Sequence, residues 1–255
     1  MSSDDLPASG AAPLVARSVS RSLGALPVLD GIDLEIGPGE VVALVGPSGC
    51  GKSTLLELVC GLQPADAGTV TARPAALMPQ RDLLLPWLDA RDNVALPLRI
   101  AGTGRKEARG RAQELLDHVD LGRFARSRPD QLSGGMRQRV AFLRALATDR
   151  ELLCLDEPFG ALDAITREEL RAWLARLLDE RPRGVLLVTH DVEEAVLLGD
   201  RVVVLSPRPA RVTGTFAVEG ARSGRDVADP SVLAARTAVR DALHDAIAAG
   251  RGGIP

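Results

Sequence analysis

Tyrosine is absent from this chain of 255 residues, which holds only four phenylalanines and two tryptophans. Any site that would stack a ring on tyrosine has to use another side chain. No apolar run approaches the roughly 18 residues that cross a bilayer, so no membrane-spanning helix is expected. The net charge is −3, which gives no global basic field to gather nucleic acid. The local run Arg105–Arg111 mixes both signs, as a solvated helix face does. The three cysteines show no metal-ligand spacing and suit a reducing compartment. Met1–Asp5 is polar and acidic, without the charge pattern of a signal peptide. A cytosolic location is the expectation.

What is present is enough apolar material for a sizeable core, 45% of residues, arranged in short β-branched runs. The run ending at Val45 reads as a buried parallel strand. Gly46 ends it, and Gly46-Pro47-Ser48-Gly49-Cys50-Gly51-Lys52-Ser53-Thr54 follows. Leu55, Leu58, Val59 and Leu62 then recur at helical spacing. A glycine-rich turn between a strand and a helix curls its N–H groups inward, and the helix start adds its positive end, so the turn cradles an anionic phosphate chain. In that pattern Lys52 reaches the β- and γ-phosphates and the Ser53 hydroxyl ligates Mg²⁺. Cys50 stands in this loop at a helix start, which tends to lower a thiol pKa. Alkylation at Cys50 is therefore expected to inhibit, with bound ATP protecting.

Leu152–Leu155 is a second buried strand and ends in Asp156-Glu157. Phosphoryl transfer needs such carboxylates: Asp156 beside the metal, and Glu157 one residue on to polarise an attacking water. A third strand, Val185–Thr189, ends at His190, which is thereby placed to meet the γ-phosphate. His118 and His244 have no motif around them. Cys60 and Cys154 read as small core residues.

One further stretch decides the family resemblance. Leu132-Ser133-Gly134-Gly135-Met136-Arg137-Gln138 lies between the phosphate loop and Asp156-Glu157, and Val140, Leu143 and Ala147 recur after it at helical spacing, putting Ser133–Gly135 at a helix start. With Gln80, Gly160-Ala161-Leu162-Asp163 and His190 in order, residues 13 to 215 resemble the ATP-binding subunit of an ABC transporter. The resemblance implies an α/β phosphate-loop NTPase fold, with a mainly parallel sheet, an N-terminal antiparallel portion and a helical subdomain at about 81–148. Residues 1–12 are expected to be a flexible N-terminus and 216–255 an extension with a short helix, near 231 to 249.

The resemblance also implies a head-to-tail homodimer. Each ATP is then held between one copy's phosphate loop and Ser133, Gly134 and Gly135 of the other, with Asp163 along the interface. A helix N-terminus is a ready site for a γ-phosphate, and one chain does not easily present two such ends to one phosphate. Gln80 would contact the metal and the attacking water and link them to the membrane partner. Family members usually stack adenine on an aromatic residue; that position is Leu23 here, so weaker selection for adenine is expected.

The wording Leu84-Leu85-Pro86-Trp87, together with Glu157–Arg167, is similar to importer subunits for nitrate, sulfonates and taurine, with relatives serving thiamine precursors. Those residues read either as subdomain core or as a groove for a helix of a membrane permease, and both roles can coexist. An importer subunit implies two permease subunits and, indirectly, an extracellular solute-binding protein. An exporter subunit, or a soluble ABC ATPase acting on nucleic acid or ribosomes, stays open as an alternative. The latter relatives carry paired cassettes, coiled coils or zinc modules, and none of these is read here. Thr166 and Glu169 suggest a capping box for a helix to Leu178 with Trp173 on its inner face, and Asp191 and Glu194 suggest another.

Overall fold

The computed structural model describes residues 11–251. The expectation for the first residues of the chain lies outside them for residues 1–10, as does the end of the C-terminal extension. Two sheets form the body. In the first, β1 (Leu14–Leu23) lies between β2 (Leu26–Ile36) and β4 (Ala67–Ala72), all antiparallel. In the second, the order is β5 (Ala75–Met78), β6 (Leu152–Asp156), β7 (Gly184–Val188), β3 (Val41–Val45), β8 (Arg201–Leu205), β9 (Val212–Ala217). All neighbours pair in parallel except β8 and β9.

Alternation along the central strands explains why runs with no polar residue fold as strands. Val41, Ala43 and Val45 enter one hydrophobic cluster, while Val42 and Leu44 enter another on the opposite face. Leu153 and Leu155 face the first, and Leu152 and Cys154 the second; Val185 and Leu187 divide from Leu186 and Val188 in the same way. A strand buried on both faces gains about 1.5–3 kcal/mol for each large aliphatic side chain so covered, which leaves no position for a polar one.

The second cluster lies between the two sheets and includes α1 (Lys52–Val59). The first is covered by α2 (Ala90–Ile100), α3 (Arg105–His118), α4 (Gly134–Leu146), α5 (Ala164–Glu180), α6 (Val192–Leu198) and α7 (Pro230–Arg251). Helices α2, α3 and α4 pack on one another, and α7 lies against α6, β8 and β9. The strand β9 runs across residue 215, and α7 docks on the body through buried Val232 and Val239.

Two local expectations are corrected. The helix after the phosphate loop stops at Val59, and Leu62 lies outside it and is exposed. Gly61, at φ 68, takes the left-handed conformation that ends a helix, and this outranks the apolar spacing. Helix α5 begins before Thr166: its cap is Asp163, whose carboxylate accepts from the Thr166 N–H at 3.1 Å. Trp173 packs edge-on to Phe142, ring centroids 6.0 Å apart, and is core material as read.

Candidate nucleotide site and its two halves

The phosphate loop joins β3 to α1 at the carboxyl end of the parallel sheet, where open α/β sheets bind ligands. Its packing explains the glycines. At Gly51, φ is 123, and a side-chain carbon there would stand 2.7 Å from Val28 Cγ1 and 2.9 Å from Leu29 Cδ2. Only glycine allows the loop to lie this close to β2. Lys52 is buried, and its ammonium donates to the carbonyls of Gly46 at 2.8 Å and Pro47 at 3.0 Å.

Cys50 departs from expectation. Its side chain is only 2% exposed, tucked beneath Gly46, and burial pushes the thiol up against the lowering pull of Lys52 and the backbone N–H groups. The helix start does not win over desolvation here. Cys50 offers the site its backbone and not a reactive thiolate.

The Ser53 hydroxyl donates to Asp156 Oδ2 at 2.7 Å, so the phosphate loop and the end of β6 meet. Burial, with the neighbouring charges of Glu157 and Glu57, raises the Asp156 carboxyl above its ordinary range, while Ser53 and Lys52 oppose this. Glu157 follows at φ 49, an unusual conformation for a residue with a side chain, and strain of this kind collects at functional sites. Its N–H donates to the Val188 carbonyl at 2.8 Å, and Gln138 of α4 donates to its carbonyl at 3.3 Å. Both its carboxylate oxygens are engaged. Gln80 Nε2 donates to Oε2 at 3.1 Å, and His190 Nδ1 lies 3.1 Å from Oε1. Gln80 reaches this point from the segment after β5, and His190 from the end of β7.

A cleft of about 420 Å³ opens over these groups, lined by Ser48, Gly49, Gly51 to Thr54, Gln80, Asp156 and Glu157, together with Leu23 and Val28. Leu23, half exposed at the end of β1, therefore sits on the cleft wall. Val28 and Arg208 also line it, and no sequence motif marks either.

Ser133, Gly134, Gly135 and Asp163 do not line this cleft. Ser133 caps α4, its hydroxyl accepting from the Met136 N–H at 3.3 Å, and both Ser133 and Gly134 are exposed. Beside them, a side-chain carbon on Gly135 would meet Leu162 Cδ2 at 3.5 Å and the Ala161 carbonyl at 3.6 Å. The turn that ends in Asp163 thus adjoins the start of α4. That start is an exposed helix N-terminus that does not line the cleft of its own chain.

The family description "ABC transporter" matches residues 29–160. The chain belongs to the ABC transporter family. It is an ATP-binding subunit, an α/β ATPase cassette. It is similar to the taurine import ATP-binding protein of Burkholderia pseudomallei, 46% identical over 208 residues that cover 78% of this chain and 80% of that protein. An aliphatic sulfonates import ATP-binding protein of Burkholderia cenocepacia is 43% identical over 258 residues, 96% of this chain and 94% of that one. Among solved structures, the dimeric ATP-binding cassette MJ0796 bound to ADP and Pi aligns with TM-score 0.74 and 32% identity, over 81% of this chain and 99% of that chain.

Proposed function

We propose that the chain is the energising subunit of an importer for a small sulfonate such as taurine, working as a head-to-tail homodimer on the inner face of the cell membrane. The direction and the solute class rest on the names of the relatives, which are import proteins for taurine and aliphatic sulfonates. An extracellular solute-binding protein would deliver the solute to the permease subunits. Residues 13–215 form the cassette in this reading, about 81–148 its helical subdomain, and 216–255 an extension.

Each composite site would take ATP between one copy's cleft and the other copy's α4. The observation that carries this reading is that Ser133–Gly135, at the exposed start of α4, do not line the cleft of their own chain. In the closed dimer the backbone of Gly46 to Thr54 wraps the phosphates, and the Lys52 ammonium moves from loop carbonyls onto the β- and γ-phosphates. The start of α4, with its partial positive charge, meets the γ-phosphate from the other side. Glu157, held by Gln80 and His190, takes the proton of the attacking water.

The donors beside the phosphate loop are a hydroxyl, a carboxylate and an amide, from Ser53, Asp156 and Gln80. Such oxygens suit a hard cation, and Mg²⁺ usually completes its shell with nucleotide phosphates and water. These residues fit Mg²⁺, which when bound would neutralise charge on the phosphates.

The permease would dock where Leu83 and Trp87 are 56% and 68% exposed. Leu84 is buried, so the core and docking readings divide between adjacent residues. This segment is tied to α4. Arg137 pairs with Asp82 at 3.0 Å, and Arg144 donates to the carbonyls of Asp82 at 2.8 Å and Leu83 at 2.9 Å. A shift of the docking segment would therefore pull on α4 and, through Gln80, on Glu157.

Subunit mixing tests the composite site. Lys52→Ala should fail at the cleft, and Ser133→Glu should repel the γ-phosphate. Neither homodimer should hydrolyse ATP. Their mixture forms heterodimers with one intact site, so partial activity should return. A site complete within one chain predicts no recovery.

A further inference from the structure

We propose that Arg208 is an additional nucleotide-binding residue of this subunit, its guanidinium contacting the phosphate chain from the side of the phosphate loop at Gly49. The proposal deepens the ATP reading of the cleft and rests on it.

Arg208 stands in the loop between β8 and β9, remote in sequence from the motifs. Hydrogen bonds bring it to the site. The Ala210 N–H donates to the Val28 carbonyl at 2.8 Å, and the Asp30 N–H donates to the Ala210 carbonyl at 3.0 Å. The loop is closed on itself by Ser206, whose hydroxyl accepts from the Arg211 N–H at 3.0 Å and donates to the Pro207 carbonyl at 2.9 Å. Arg211 is neutralised by Asp30. Arg208 is not: among the described residues no hydrogen bond or ion pair engages its guanidinium.

Its position is over the phosphate loop. A side-chain carbon on Gly49 would lie 3.9 Å from Arg208 Nη2, and Arg208 lines the cleft beside Ser48 and Gly49. The charge of Arg208 is also felt by the Cys50 thiol below the loop, where burial dominates and Lys52 and Arg208 oppose it. An unpaired, exposed cation on the wall of a phosphate-binding cleft is placed to bind an anion's oxygens, and a guanidinium can do so with two parallel bonds. The contact comes from the same chain as Lys52, so it should act on nucleotide affinity before any dimer closes.

The test measures nucleotide binding by calorimetry on the full chain, with Arg208→Ala, Arg208→Lys and, as a control of the cleft itself, Lys52→Ala. Arg208 is exposed, so its variants should melt as the parent does; Arg208→Gln serves as a second neutral variant. Arg208→Ala should weaken ATP and GTP equally, by about tenfold at low ionic strength. The deficit should shrink in high salt, and Arg208→Lys should recover part of it. Unchanged affinity in Arg208→Ala, with binding lost in Lys52→Ala, overturns the Arg208 proposal alone. A loss confined to ATP and not recovered by lysine overturns the phosphate contact in favour of stacking on adenine beside Leu23. Full binding in Lys52→Ala would instead overturn the nucleotide reading of the cleft.

Discussion

His190 Nδ1 stands 3.1 Å from Glu157 Oε1, so the residue that closes β7 orients the carboxylate that follows β6. With Gln80 on the other oxygen, the Glu157 side chain has one defined direction. A base fixed in this way can meet a water with little reorganisation. Glu157→Gln keeps the size and can keep both contacts, but it removes the base. Hydrolysis should slow by about 10²–10⁴, while Mg-ATP binding survives and the dimer is trapped in its closed form. Single-turnover kinetics with size-exclusion chromatography would check this. Unchanged turnover would remove Glu157 from its role.

The thiols should react in an order set by burial. Cys60 is partly exposed, and a hydrogen bond with Cys154 lowers its pKa. Cys154 is buried and its thiol is pushed well up, first by that same bond and then by burial. Cys50 is also buried and raised. Iodoacetamide at neutral pH should therefore label Cys60 first and Cys50 slowly, as peptide mass mapping would report. Rapid labelling of Cys50, blocked by ATP, would contradict the packing under the phosphate loop.

Glu194 gives a pH dependence. Its carboxyl is buried at the start of α6, where Thr189 Oγ1 donates to Oε2 at 3.0 Å and Oε1 has no partner. Burial pushes its pKa up to about 8. An unfolded glutamate titrates near 4.3, so between roughly pH 4.3 and 8 the folded state holds a proton that the unfolded state has lost. Stability from this group falls as pH rises through that window. Glu194→Gln stays neutral throughout. It should stabilise the protein at pH 8 by on the order of 5 kcal/mol and make little difference near pH 4. Thermal melts of both proteins across this range would test it; equal destabilisation at both ends would show that the glutamate is charged when folded.

Much of the site was legible because its parts are contiguous. The phosphate loop, Ser133–Gly135 and Asp156-Glu157 are each short segments whose chemistry follows from neighbours in sequence. His190 was legible from its place at a strand end and Gln80 through the family resemblance, and both contact Glu157. Arg208 and Val28 were not legible, because only the pairing of Ala210 with β2 brings the distant loop to the cleft. The reactive Cys50 was misread for a related reason: a helix start is visible in sequence, but the cover that desolvates the thiol comes from packing. Asp163 and Thr166 are both good caps, and local sequence does not choose between them. The turn through Phe159 to Leu162, whose N–H donates to the Phe159 carbonyl at 3.1 Å, makes the choice.

Turnover should depend on the dimer, since the start of α4 does not line the cleft of its own chain. Steady-state ATPase activity per molecule, followed across a dilution series with mass checked by light scattering, tests it most directly. Specific activity should fall as the dimer dissociates, and dilute monomer should still bind ATP but hardly hydrolyse it. Constant activity per molecule in strictly monomeric protein would contradict it.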